Sequence, residues 1–153
     1  MLRLPRTKSC FVCGLNNSIG LKLDFETDGK IVRATFTPRP EHIGFKGTVH
    51  GGILSTVLDE AMVWACGVQT KRFSYCAELN VRFLQPARPG EELVVIGELV
   101  ENRRDRLFEA RAELRNPQEA VLACARGKYL PVKGDVLAEM LSDFAESTGN
   151  LFE

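Results

Sequence analysis

His50-Gly51-Gly52-Ile53-Leu54-Ser55-Thr56-Val57-Leu58-Asp59-Glu60-Ala61-Met62-Val63-Trp64-Ala65-Cys66-Gly67 is the stretch whose reading decides the fold. Apolar residues at 53, 54, 57, 58, 61, 62, 64 and 65 follow helical spacing and leave little polar remainder; Gly67 marks the expected end. Such a helix has to be buried on most sides, and the sequence around it must supply the cover.

That cover reads as strands. Ahead of the helix, Leu21, Leu23 and Phe25 alternate with Lys22, Asp24 and Glu26; Asp28-Gly29 offers a tight turn, and Ile31 to Thr37 resumes extended character, so a β-hairpin is expected. Pro38 and Pro40 close it, and residues 39–49 read as an irregular loop. Behind the helix come four period-2 segments, about 73–85, 92–101, 106–115 and 120–130, broken by Pro86-Ala87-Arg88-Pro89-Gly90, Glu101–Asp105 and Asn116-Pro117-Gln118. With hairpin connections these form an antiparallel meander. Val136, Leu137, Met140, Leu141 and Phe144 mark a short amphipathic helix within 133–147, capping one edge or contacting a partner. The sum is an α+β chain: one antiparallel sheet wrapped around one long central helix, in a single domain over 1–153, with residues 1–19 as a turn-rich lead-in arm.

Composition narrows the function classes. Lys plus Arg and Asp plus Glu total 20 each, so no net charge draws the chain to nucleic acid or to an anionic membrane. The first residues lack the apolar run of a signal peptide, and no stretch reads as the ~20 apolar residues of a membrane span. Five cysteines, three of them inside apolar stretches, suit a reducing compartment, and a cytoplasmic location is expected.

With these elements placed, His50-Gly51-Gly52-Ile53-Leu54-Ser55-Thr56-Val57-Leu58-Asp59-Glu60-Ala61 resembles the helix-start signature of hotdog-fold acyl-CoA thioesterases, in the PaaI-like group of the 4-hydroxybenzoyl-CoA thioesterase superfamily. Glu78-Leu79-Asn80-Val81-Arg82-Phe83-Leu84-Gln85-Pro86-Ala87 resembles the strand that follows that helix, and Cys10-Phe11-Val12-Cys13-Gly14 a lead-in of some members. The resemblance implies a hotdog fold, hydrolysis of an acyl-CoA or related thioester, and a homodimer or homotetramer with each site completed across the helix-to-helix interface. No cofactor is called for, since coenzyme A enters as part of the substrate.

Thioester hydrolysis needs a polarised carbonyl, an activated water or nucleophile, and shelter from bulk solvent. Two glycines opening a helix let a substrate approach the backbone, and the first-turn N–H groups with the positive end of the dipole can hold an oxyanion. By resemblance Gly51 is that donor, with Gly52 as the fallback. Asp59, two turns into an apolar helix, carries a desolvation cost that a function would justify. By resemblance it is the catalytic acid, as general base on water or as nucleophile. Glu60 sits about 100° further round the helix, an alternative for that role or an orienting group. His50 is given a supporting part. Where some members carry Asn six residues before that His, this chain has Gly44, with His42 nearby.

Phosphates of coenzyme A call for cations at the pocket mouth, and Arg82, Arg88 and Arg104 are the candidates, with Arg103 and Lys128 behind them. Cys10-x-x-Cys13 has no second ligand pair in the sequence, so no metal is expected. Two other readings compete. One is a non-catalytic acyl-CoA-binding hotdog domain, against which Asp59 argues; the other is a hydratase, whose paired Asp and His motif the chain lacks.

Overall fold

The computed structural model describes residues 1–152. In chain order the elements are β1 (Leu2–Arg3), β2 (Glu26–Thr27), β3 (Ile31–Phe36), a 3-10 turn (Pro40–His42), α1 (Gly51–Thr70), β4 (Ser74–Phe83), β5 (Leu93–Arg103), β6 (Leu107–Arg115), β7 (Val121–Pro131) and α2 (Gly134–Ser142). Seven strands make one antiparallel sheet in the order β1-β2-β3-β5-β6-β7-β4. The sheet wraps α1, as the α+β reading anticipates.

Helix α1 is set by burial. Leu54, Val57, Leu58, Ala61, Met62, Trp64 and Ala65 are all shut away from solvent against the sheet's inner face. Covering each of the larger side chains is worth about 1.5–3 kcal/mol. By length and composition α1 is apolar enough to span a membrane, which corrects the expectation that no stretch is. More than half of it lies inside the protein, and that burial accounts for its apolarity. The helix also runs three residues past Gly67, which makes room for the Phe152 ring rather than ending the helix, and it stops at Lys71 in a left-handed cap.

Two further expectations are corrected. Leu21 to Phe25 is not a strand of the first hairpin: Leu21 and Leu23 donate to the carbonyls of Phe11 and Val12 in the lead-in, and only Glu26–Thr27 pairs with β3. The side-chain alternation still holds, with Leu23 and Phe25 buried. Nor do the last four strands form one meander. Only β5, β6 and β7 do; β4 pairs with β7, at the far side of the sheet from β5.

Residues 84–92 therefore make a crossing rather than a hairpin. They run along the strand ends: Leu84 donates to Leu122 O, Ala87 O accepts from Val49, and Gly90 donates to Pro38 O. With His50 N–H on His42 O, this crossing anchors the chain where α1 begins.

Helix and sheet approach closely at Gly97 of β5, where an added Cβ would come 2.6 Å from the carbonyl oxygen of Ala61. Backbone cannot yield as a side-chain tip does, so Gly97→Ala is expected to lower unfolding free energy by about 1–3 kcal/mol. Urea unfolding followed by circular dichroism measures it.

Candidate active site

Helix α1 opens with His50 as its N-cap: the imidazole Nδ1 accepts from Gly52 N–H at 2.8 Å, and His50 O accepts from Ile53 and Leu54. His50 thus fixes the first turn of the helix. The same bond occupies the Gly52 N–H. Gly51 N–H has no partner among the described residues and remains available. Gly44 packs against this cap, with a Cβ there falling 3.1 Å from His50 Cδ2, so a side chain at 44 would crowd the imidazole. His42 is buried and engaged, its Nδ1 accepting from Arg39 N–H, and burial holds its pKa below the ordinary value.

Ser55 and Thr56 donate their hydroxyls back to the carbonyls of Gly51 and Gly52 rather than to the carboxylates one turn on. Asp59 is instead met from the sheet. Tyr129, fully buried on β7, donates its phenol to Asp59 Oδ1 at 2.8 Å. The Cys76 thiol on β4 also faces the Asp59 carboxylate as a side-chain hydrogen-bond partner. Burial and the adjacent Asp59 push the Tyr129 phenol upward, so it stays protonated and donating; the Cys76 thiol is raised for the same two reasons. Sequence reasoning missed Tyr129. The signal was a polar-tipped aromatic on the inward face of β7, in phase with Ala123, Ala125 and Gly127.

Glu60 turns the other way, towards the lead-in arm, where its Oε1 lies 3.6 Å from Cys10 Sγ. Burial, with the Cys10 thiolate beside it, pushes the Glu60 carboxyl up to about 8. Cys10 moves oppositely: the hydrogen bond from the Cys13 thiol, reinforced by Val12 N–H, draws it down to about 6. Cys13 rises as the partner that keeps its proton.

Both carboxylates line a cavity of about 720 Å³, in the range of small-molecule sites. Trp64, Phe73, Phe144 and Phe152 form an aromatic wall with ring centroids 5.1–6.1 Å apart. Tyr75 and Cys76 of β4 add to the lining, whereas Met62 is sealed in the core. Helix α2 closes the far side with Val136, Glu139 and Met140. Its trailing end is tied to the lead-in by Lys8 N–H on Asp143 O and Ser9 Oγ on Asp143 Oδ2 at 2.7 Å.

The three arginines expected to grip phosphate do not converge. Arg82 lies on the outer face of the sheet; Arg88 reaches Gly47 O near the start of α1; Arg104 sits in the β5–β6 turn, whose Asp105 pairs with Arg72 beyond the helix C-terminus. Strand alternation and turn position separate them. They are not one phosphate clamp within a chain.

The profile of the thioesterase superfamily matches residues 46–123, more than half of the chain, from the loop before α1 into β7. This chain belongs to that superfamily. Solved structures agree on the fold. The PaaI protein of the Escherichia coli phenylacetic acid degradation operon superposes with a TM-score of 0.68 at 23% identity, over 74% of this chain and 82% of that one. The thioesterase superfamily protein RHA08564 gives 0.73 at 24%, over 80% and 63%. The smu.793 protein of Streptococcus mutans, solved with acetyl CoA bound, gives 0.65 at 18%, over 72% and 88%. A search of curated proteins finds no significant match.

Among the superfamily member's five free cysteines, Cys10 is the half-exposed thiol with a lowered pKa. In reduced, chelator-treated protein its alkylation by iodoacetamide should reach half its plateau rate near pH 6, well below an ordinary thiol. Peptide mapping across a pH series measures it.

Proposed function

We propose that this superfamily member hydrolyses an acyl-CoA or related acyl thioester, with Asp59 as the reacting carboxylate and the Gly51 N–H as oxyanion donor. The observation that carries the reading is the carboxylate itself. One oxygen is held at 2.8 Å by Tyr129, and the residue lies at the wall of a cavity lined largely by apolar side chains. A carboxylate held so can take a proton from water or attack the carbonyl directly. Asp59 is preferred to Glu60, whose carboxyl burial keeps protonated near neutral pH. The aromatic wall suits an apolar acyl group.

Gly51 and Asp59 stand eight positions apart on one helix, about 12 Å along its axis. One carbonyl cannot touch both. A second copy with its α1 antiparallel would bring its Gly51 beside this Asp59, so the reading includes a homodimer, alone or paired into a tetramer. An uncovered face supports it. Tyr75, Leu79, Phe83 and Leu84 are exposed on or just after β4, the end strand of the sheet, and Phe45 is 92% exposed on the loop before α1. Open apolar edges of this kind are ordinarily covered. The acetyl CoA held by smu.793 makes acyl-CoA the first substrate to try, and five free cysteines fit a cytoplasmic setting.

The test is free-thiol release across short, medium, long and aromatic acyl-CoAs. Asp59→Asn is expected to lose at least about 100-fold in kcat, with Glu60→Gln the less damaged variant. Tight acyl-CoA binding without turnover would turn the reading to a binding domain, and full activity in Asp59→Asn with loss in Glu60→Gln would move the reacting group by one residue.

A further inference from the structure

We propose that Cys10, Cys13 and Glu60 form a zinc-binding site in the wall of the cavity. The two thiols come from the lead-in and the carboxylate from α1, yet one ligand atom from each lies within 4.8 Å of the other two. Cys10 Sγ and Glu60 Oε1 are 3.6 Å apart. Zinc bonds of about 2.3 Å to sulfur and 2.0–2.2 Å to oxygen, set tetrahedrally, place neighbouring donors roughly 3.5–3.8 Å apart. The cluster needs only a small contraction to close on an ion.

The loop is shaped for sulfur as a ligand. Val12 N–H donates to Cys10 Sγ at 3.3 Å, and Thr7 Oγ1 lies 3.5 Å from Cys13 Sγ. Contacts of this kind orient thiolates around a metal. The turn is closed by Gly14 N–H on Cys10 O at 2.8 Å, and it admits only glycine there, because a Cβ would fall 2.2 Å from that same oxygen. Among the described residues no Lys, Arg or His forms an ion pair with Glu60. Three potential anions converge with no cation of the protein to balance them, which a borderline-soft divalent ion would do.

The sequence alone has two ligands and no third; the fold supplies Glu60, fifty residues away from Cys10. Zinc favours four donors, and three protein ligands leave one position open. Cys10 and Glu60 line the cavity whereas Cys13 is buried behind them, so the open position faces the space a substrate would enter.

The test needs no turnover, so it stands apart from the thioesterase reading. Full-length protein, kept reduced with a non-chelating phosphine, is loaded with zinc and titrated against a chromophoric chelator, and cobalt(II) is substituted in parallel. The expected result is one zinc per chain, a rise in thermal midpoint on zinc addition, and a thiolate-to-cobalt absorption band. Cys10→Ser/Cys13→Ser should lose all three, and Glu60→Gln, which spares the lead-in if the double variant misfolds, should weaken zinc by more than about tenfold. No zinc retained by the reduced wild-type protein would overturn the proposal. Equal affinity in wild type and Glu60→Gln, or a cobalt spectrum without the thiolate band, would overturn it as well.

Discussion

A carboxylate on a helix buried inside a sheet is stable only if something there takes the place of water, and in this protein that something is the Tyr129 phenol at 2.8 Å from Asp59 Oδ1. The rest of the site depends on that bond. It requires β7 to pass behind α1, a glycine at 127 to leave room for the ring, and the helix to turn Asp59 towards the cavity. The Tyr129 bond orients the acid and leaves it at the cavity wall. Glu60, one residue on, meets thiols instead, and its burial leaves it protonated.

The second constraint is the crossing from β4 to β5. By bonding to Leu122, Val49 and Pro38 in turn it ties the start of β7 and the end of β3 to the residues that lead into α1. The His50 cap then uses up the Gly52 N–H and leaves the one at Gly51. The two halves of the proposed chemistry are thus both fixed, but two turns apart, which is why the proposal includes a second copy.

Much of this was legible in the sequence. The central helix and the last four strands fall within a few residues of their expected bounds, since burial against one sheet imposes regular periods. Pairing was less legible. Residues 21–25 alternate as a strand does, yet bond to the lead-in, and β4 looks like a neighbour of β5 but lies beyond β7. Periodicity reports which face is buried and says nothing of which backbone lies alongside. The same limit hid the contacts of Tyr129 with Asp59 and of Cys10 with Glu60, which join residues 70 and 50 positions apart. It also let three arginines on different faces read as one set.

The central claim is that one chain's Asp59 works with the Gly51 N–H of another. Gly51→Pro removes that N–H at the first helical position, where proline is tolerated, and His50 before it is already extended. Asp59→Asn and Gly51→Pro chains, each inactive alone, are unfolded together, refolded and assayed for thiol release. Half of the resulting dimers would be mixed, each with one intact site, so activity should return to roughly a quarter of wild type. No recovery, with mixed dimers demonstrated by mass, would contradict the account.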